Sequence, residues 1–249
     1  MAKTYIILVI IAAVVVGVYF SLPCRFFEDS VFPLHGDASV VVYDDSYDGG
    51  LSKASLKQAD SSLSFNCTLG GEESQSAWCG LVFDIRERGD VRYRDWNFVD
   101  SVIFDIDAKG TDEILVKVWA YDPDVTDTLK PRTFRLLLKE LPLVEGRQRI
   151  SIPMEQFYTP DFWFDDEHVD KSLIDRHQET IARVEIAPGW NHPRQKEFAL
   201  VIYGITAKGL SNFSFVVVLF IIIGLMIVAI GRTHSNNKEH EEKSSERKA

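Results

Sequence analysis

Two stretches in the middle of the chain decide the fold: SVIFDID at residues 101–107 and EILVKVWAY at residues 113–121. In the first stretch, apolar side chains occupy every second position, as Val102, Phe104 and Ile106, and the second stretch alternates in the same way. Successive side chains of a strand point to opposite faces of a sheet, so each stretch has one face that requires burial. Both stretches therefore predict β-strands that contribute one face to a core.

Similar segments recur at short intervals on both sides, separated by Gly, Pro and Asp residues that favour turns. The predicted strands are residues 39–43, 62–68, 80–86, 101–107, 113–121, 132–139, 147–152, 181–187 and 197–206. Within this β-rich region, helix is predicted only for residues 167–178 and 154–158, and both segments are short. Many short strands with few helices indicate an all-β fold, an antiparallel β-sandwich or jelly roll.

Two long apolar runs, residues 4–22 and 213–230, flank this β-rich region without a single charged side chain. A helix of this length rises about 28 Å, close to the hydrocarbon thickness of a bilayer, so each run predicts a transmembrane α-helix. The first run also resembles a cleaved signal peptide, although the apolar part of such a peptide is usually shorter. Anchor and signal peptide remain open for the first run.

The apolar runs divide the chain into four parts. These are an N-terminal anchor or signal peptide (1–23), a β-domain (24–210), a transmembrane helix (211–231) and a tail (232–249) that is too short and too charged to fold. The Lys and Arg residues near the two ends favour a cytoplasmic location for both termini. We therefore expect a two-span membrane protein whose central domain is periplasmic or extracellular.

The overall charge excludes one large class of partners. The chain has 27 Lys and Arg residues against 37 Asp and Glu residues, a formal net charge of −10. Proteins that bind nucleic acids need a basic face that replaces the counterions of the phosphates. We therefore expect no nucleic-acid partner.

Cys67 and Cys79 flank a segment that has the composition of a hairpin tip. Disulfides persist in periplasmic and extracellular space, where the β-domain is predicted to lie. A Cys67–Cys79 disulfide is therefore one interpretation, and two unrelated, half-buried thiols are the other.

The order of these features resembles the galactose-binding-like jelly roll of many carbohydrate-binding modules. The resemblance lies in YDDSYDGGLS (43–52), in WNFVDSVIFDIDAKG (96–110) followed by DEILVKVWAYD (112–122) as a central strand pair, in GRQRISIPMEQFYTPDFW (146–163), and in IARVEIAPG (181–189) with EFALVIYGITAKG (197–209). These are patterns of fold rather than an active-site signature. The resemblance implies a β-sandwich that binds a saccharide or another ligand of the cell envelope.

Jelly-roll modules of the resembled type often hold a structural calcium ion, and three carboxylates lie where the resemblance places it. Asp44, Asp45 and Asp48 fall within a glycine-rich turn, and calcium binds several oxygen ligands in flexible geometry. The spacing is not that of an EF-hand loop. The alternative is an exposed turn in which these side chains accept hydrogen bonds from nearby backbone groups.

The aromatic residues suggest where a sugar would bind. If the strand at 113–121 turns its valines inward, Trp119 and Tyr121 point the other way, and Arg135 on the next strand lies across from them. Flat aromatic rings stack on the C–H faces of sugars, so these residues form a candidate platform, with Trp163 as a further candidate. The alternative is that Trp119 packs under a loop or against the second sheet.

Sequence motifs of common enzymes are absent. The chain has no G-x-S-x-G, H-E-x-x-H, Walker or C-x-x-C motif. We therefore expect a membrane-anchored, non-catalytic binding or sensory domain that recognises a carbohydrate, with a membrane protein as a further partner. The alternative is a structural or assembly protein whose β-sandwich binds another protein through a sheet edge or an apolar patch.

Overall fold

The computed structural model describes residues 2–21, 26–59, 61–72, 75–87, 92–210 and 212–246. The helices in these residues are α1 (Ala2–Ser21), α2 (Asp161–Asp166) and α3 (Asn212–Glu246). The strands are β1 (Phe26–Phe32), β2 (Ser39–Asp44), β3 (Lys53–Ala59), β4 (Ser62–Thr68), β5 (Cys79–Asp84), β6 (Val99–Lys109), β7 (Glu113–Ala120), β8 (Arg135–Pro142), β9 (Gly146–Pro153), β10 (Ile181–Pro188) and β11 (Glu197–Leu210). The chain divides into a helical unit that contains α1 and α3, and a β unit, Glu28–Gly209.

The β unit consists of two sheets. The six-stranded sheet has the order β3-β4-β11-β6-β9, with β1 also paired to β11, and the five-stranded sheet has the order β2-β5-β10-β7-β8. The pairings along both paths are antiparallel. The β unit is therefore a two-sheet antiparallel sandwich, as the alternation of the sequence predicted.

The two stretches that define the fold do not pair with each other. Strand β6 lies in the six-stranded sheet and β7 lies in the five-stranded sheet. Gly110, in the turn between them, has a φ of +79°, and a Cβ atom there would lie 2.8 Å from the carbonyl oxygen of Glu197. Glycine alone fits this close approach. The prediction that these two strands form a central pair is therefore wrong, because the chain crosses from one sheet to the other at this turn.

The core lies between the inner faces of the sheets. Val102, Phe104 and Ile106 of β6 are fully buried, as are Phe198 and Leu200 of β11. Burial of each large apolar side chain stabilises the fold by about 1.5–3 kcal/mol. The residues between them in β6 and β11 alternate with this set and point to the outer face of the six-stranded sheet.

The outer faces of the two sheets differ. A second apolar cluster covers the outer face of the five-stranded sheet, and α2 contributes Trp163 and Phe164 to it. The cluster consists of Leu115, Trp119, Phe134, Leu136, Leu138, Trp163, Phe164, Ala182 and Ala187. On the six-stranded sheet, the outward side chains of β4, β6 and β11 are half-buried and those at both edges include exposed ones. The six-stranded sheet therefore presents the open face of the sandwich.

The helix predicted at residues 167–178 is wrong. The structure has α2 earlier, at Asp161–Asp166, and a 3-10 turn at Gln178–Thr180. His168 adopts a φ of 57°, a left-handed conformation that a continuing right-handed helix excludes. At 154–158, the other predicted helix, the structure has a 3-10 turn, Met154–Gln156.

In the helical unit, one described helix is long and apolar enough to cross a membrane, judged by length and composition. That helix is α3, over Phe215–Arg232. The apolar part of α1, Tyr5–Ser21, is shorter. The span predicted at residues 4–22 is therefore not established. Helix α3 continues to Glu246, into the tail predicted to be unfolded, where Glu and Lys residues favour helix.

Candidate functional site

The predicted sugar platform is not a surface. Trp119 is only 8% exposed and Trp163 only 3% exposed, and both belong to the apolar cluster under α2. The indole nitrogen of Trp163 donates a hydrogen bond to the carbonyl oxygen of Phe134 at 2.8 Å. The prediction that Trp119 points away from the core is correct, but the segment that carries α2 covers it, as the alternative interpretation held.

Arg135 does not lie across from Trp119. The register of β7 with β8 pairs Trp119 with Leu136, and Arg135 with Ala120. The Arg135 guanidinium is buried, donates to Asp122 Oδ2 from Nε at 3.0 Å and from NH2 at 2.5 Å, and lies 4.7 Å from the Trp163 ring. Arg135 is therefore a structural ion-pair residue. The predicted position of Arg135 across from Trp119, on which its role in ligand binding depended, is wrong.

Tyr121 packs inside the same region. Its ring stacks on Tyr93 with centroids 5.0 Å apart, and it lies edge-on to Phe134 at 6.3 Å. Its backbone N–H donates to Thr180 and its carbonyl accepts from the Thr180 hydroxyl. The Tyr121 ring therefore packs against other aromatic rings, and it does not form the predicted platform together with Trp119.

A buried charge network lies beside Trp119. The carboxylate of Glu185 accepts hydrogen bonds from Lys117 Nζ at 2.7 Å, from Trp119 Nε1 at 2.8 Å and from the Tyr43 hydroxyl. Burial by itself raises the pKa of Glu185, but the charge and hydrogen bond of Lys117, with the bond from Tyr43, hold that pKa below its ordinary value. Burial and the Glu185 charge raise the pKa of Tyr43. Glu185 and Trp119 are buried, so the network is part of the packed structure.

The predicted calcium ligands do not converge. The carboxylate of Asp45 is buried and accepts hydrogen bonds from Ser52 N at 2.8 Å, Ser52 Oγ at 2.6 Å and Trp78 N at 3.3 Å. The described part of the chain contains no group of three His, Cys, Asp or Glu residues that could hold a metal ion.

The other two carboxylates at this turn have different environments. Asp44 accepts from Ser46 and from the Ala54 backbone N–H, and Asp48 is exposed. Hydrogen bonds therefore use carboxylate oxygens of Asp44 and Asp45 that calcium would need, and the burial of Asp45 differs from the exposed turn of the alternative interpretation. Asp44, Asp45 and Asp48 do not fit a calcium site, so we assign no role to the metal.

Cys67 of β4 and Cys79 of β5 form a disulfide, with Cα atoms 6.3 Å apart. The two strands lie in different sheets. The bond therefore links the two sheets of the sandwich covalently, beside the buried turn that contains Asp45.

The open face of the six-stranded sheet is where polar side chains come together. The register places five residues in one row across five strands: Lys57 opposite Ser64, Ser64 opposite Val201, Val201 opposite Asp107, and Asp107 opposite Arg147. Adjacent strands lie about 4.8 Å apart, so the row is about 19 Å long. We call this surface the open face.

The open face carries one preorganised group of three side chains. Arg147 donates to Asp105 through two parallel bonds, Nε to Oδ1 at 3.0 Å and NH2 to Oδ2 at 2.9 Å. The guanidinium carbon lies 3.9 Å from the centre of the Tyr203 ring. The bidentate pairing with Asp105 and the stacking on Tyr203 together fix the orientation of the exposed guanidinium.

The charges at this group support each other. The hydrogen bond from Arg147, with the charges of Arg147 and Arg149, holds the pKa of Asp105 below its usual range. The same hydrogen bond raises the pKa of Arg147. Both side chains are therefore ionised at neutral pH, and the guanidinium keeps N–H donors beyond the two that Asp105 uses.

Sequence analysis missed the open face, although a signal existed. In the predicted strand 147–152, Arg147, Arg149 and Ser151 alternate with apolar or uncharged residues, which places them together on one outward face. Asp105 and Asp107 alternate in the same way in β6. Only the strand order β11-β6-β9 brings these residues beside Tyr203.

No protein-family model matches this sequence, and no curated protein matches it. One similar solved structure is the family 11 carbohydrate-binding module from Clostridium thermocellum in complex with a β-1,3-1,4-mixed-linked tetrasaccharide, which is 13% identical, with a TM-score of 0.48, 74% of this chain covered and 96% of that chain. A second is the family 30 carbohydrate-binding module of a cellulosomal cellulase of Clostridium thermocellum, 9% identical, with a TM-score of 0.40, 77% of this chain and 94% of that chain.

A third similar structure is an agarase, 8% identical, with a TM-score of 0.43, 72% of this chain covered and 24% of that chain. The structural neighbours thus include several carbohydrate-binding modules. At these TM-scores they establish neither a family nor a ligand for this chain.

Proposed function

We propose that this protein binds a carbohydrate, without turnover, on the open face. The observation that carries the proposal is the Tyr203–Arg147–Asp105 group, an aromatic ring, a flat cation and a carboxylate fixed together on an exposed sheet face. The resemblance of the sequence to galactose-binding-like modules supports the same class of ligand.

The chemistry of the open face matches that of an oligosaccharide. A sugar presents hydroxyl groups that need both donors and acceptors, and it presents apolar C–H faces. Arg147 and Lys57 supply donors, Asp107 supplies an acceptor and Ser64 supplies both. The row is long and shallow, so an extended oligosaccharide fits it better than a small compact molecule.

We further propose that the protein is anchored in a membrane, with the β unit on the periplasmic or extracellular side and both termini in the cytoplasm. The apolar stretch Phe215–Arg232 of α3 supports one span, and the uncharged run at 4–22 supports a second. In this arrangement the β unit displays the open face outside the cytoplasm, where a cell-envelope saccharide is available.

A glycan array tests the proposed binding, with the full chain kept in a polyoxyethylene detergent that carries no sugar. We expect specific binding to an oligosaccharide, weakened about tenfold or more by Arg147→Ala and by Tyr203→Ala, a loss of about 1.4 kcal/mol or more in binding free energy. Arg132→Ala and Tyr47→Ala change the same residue types at exposed positions off the open face and serve as matched controls.

The outcomes separate the alternatives. Binding that the Arg147 and Tyr203 variants leave unchanged would keep the ligand class and overturn the open face as its site. Absence of binding to every glycan, from a folded chain, would overturn the proposal and favour a sandwich that binds another protein. We expect equal binding in EDTA and in calcium, because hydrogen bonds already use the carboxylates of Asp44 and Asp45.

A further inference from the structure

A second group of exposed side chains lies away from the open face, where two aromatic side chains donate hydrogen bonds to one carboxylate and a third ring packs against one of them. Tyr158, Phe162 and Trp190 are 45%, 44% and 56% exposed, and they come from the segment after β9, from α2 and from the loop between β10 and β11. The carboxylate belongs to Glu140 of β8. We call these four residues the aromatic cluster.

Hydrogen bonds fix the rings in the aromatic cluster. One oxygen of Glu140, Oε1, accepts from the Tyr158 hydroxyl at 2.6 Å and from Trp190 Nε1 at 3.2 Å. The Phe162 and Trp190 rings are nearly perpendicular, at 85°, with centroids 6.2 Å apart. Two backbone hydrogen bonds between Tyr158 and Leu138 hold the Tyr158 segment against β8. The perpendicular rings of Phe162 and Trp190 and the carboxylate of Glu140 are therefore held in fixed positions.

The aromatic cluster carries negative charge. Partial burial by itself raises the pKa of Glu140, but bonds from Tyr158, from its own backbone and from Trp190, together with the nearby charge of Lys139, hold that pKa below its ordinary value. Burial, together with the hydrogen bond to Glu140 and its charge, raises the pKa of Tyr158 to about 12, so the Tyr158 hydroxyl stays a donor. Glu140 is therefore ionised at neutral pH.

Further acidic groups lie beside Trp190. The backbone N–H of Trp190 donates to Glu113 Oε1 at 3.2 Å, and Asp112 and Glu113 line a pocket of about 160 Å³ together with Gly189, Asn191 and His192. Aromatic rings also present the negative side of their quadrupole at the ring face. Lys139 is the cation whose charge acts on Glu140, and the carboxylates of Glu140 and Glu113 both bond to Trp190.

We propose that the aromatic cluster binds a small, soluble organic cation with a quaternary ammonium group. Such a group donates no hydrogen bonds, so ring faces and one carboxylate replace its water without leaving a donor unpaired. The proposal rests on the negative charge of Glu140, which complements a cation, and on the exposure of all three rings. For a neutral sugar, the open face is the site that we propose.

The test is a titration of the full, ¹⁵N-labelled chain in polyoxyethylene detergent, followed through the indole N–H signals. The probes are tetramethylammonium chloride and choline chloride, with sodium chloride at equal ionic strength as the control. We expect the Trp190 signal, assigned with Trp190→Phe, to shift and saturate with both probes. Glu140→Gln should weaken binding about fivefold or more, and Glu145→Gln, a nearby exposed carboxylate, should not.

The other outcomes overturn the proposal. Equal shifts with sodium chloride would show an effect of ionic strength alone. A dissociation constant unchanged in Glu140→Gln would show that the Glu140 carboxylate takes no part in binding. A Trp190 shift with oligosaccharides and none with the ammonium probes would make the aromatic cluster a sugar-binding surface. Arg147→Ala should leave ammonium binding unchanged, so this proposal and the proposed function fail independently.

Discussion

At the level of single residues, Glu185 shows how hydrogen bonds and an opposite charge compensate a buried carboxylate. Its carboxylate is almost fully buried and accepts hydrogen bonds from Lys117 and Trp119. Removing one partner of such a network leaves the other charge without compensation. We expect Glu185→Gln to lower the free energy of unfolding by about 3 kcal/mol at pH 7, measured by urea denaturation of the full chain in detergent.

The pH dependence follows from the direction of the pKa shift. Because the folded-state pKa of Glu185 lies below its ordinary value of 4.5, its stabilising effect is complete above that value and is lost as the pH falls through the folded-state pKa. The difference between the native chain and Glu185→Gln should therefore shrink below about pH 4.5. A difference that stayed constant down to pH 3, or grew, would contradict this account of the network.

Single residues also show what a sequence hides. The alternation of β7 correctly predicts that Trp119 points away from the core, because that is a property of one strand. It cannot show that Leu136 rather than Arg135 is its cross-strand neighbour, since register depends on two strands and their turn. Nor can it show that Trp163 lies above them. The predicted platform failed at these two steps.

At the level of secondary structure, the alternation of apolar residues predicted all the strands with a strongly apolar inner face. The predicted strands at 101–107 and 113–121 correspond closely to β6 and β7. Strands β1 and β3 were missed. Strand β3, with the sequence KASLKQA, has two exposed lysines and little apolar alternation, so its pairing with β4 and not its own sequence makes it a strand.

The short helix α2 is small, yet it closes the outer face of the five-stranded sheet. Trp163 is its main anchor, buried against Phe164 and Arg135 and bonded to the Phe134 carbonyl. We expect Trp163→Ala to cost about 4 kcal/mol of unfolding free energy, because a large cavity and an unpaired carbonyl remain. Circular dichroism during urea denaturation measures this loss.

Trp190→Ala is the matched control for that experiment, since Trp190 is an exposed tryptophan of the same β unit. Its loss should cost less than about 1 kcal/mol. If the two substitutions destabilised the chain equally, α2 would not depend on Trp163 for its position.

At the level of the whole molecule, the two proposed membrane spans can be separated by truncation. We expect the full chain to remain in the membrane fraction after a carbonate wash, because Phe215–Arg232 is apolar and long enough to span. Removal of residues 211–249 alone, or of residues 1–25 alone, should leave the protein in that fraction. Removal of both segments should release the β unit.

Release on removal of residues 211–249 alone would show that residues 1–25 provide no anchor. It would leave α3 as the single span and would place the two ends of the chain on opposite sides of the membrane. The open face would keep its proposed role in that case, because its residues all lie within Glu28–Gly209.

The length and position of β11 have a mechanical consequence. The strand ends at Leu210, a single residue separates it from the start of α3 at Asn212, and it pairs with β1, β4 and β6. Tension on the C-terminal helix would therefore pull lengthwise on a strand whose ladder bonds run crosswise to the pull. Such bonds share the load and must shear together. A pulling force on the C-terminal end of β11 would thus be resisted by the ladder bonds to its partner strands acting together.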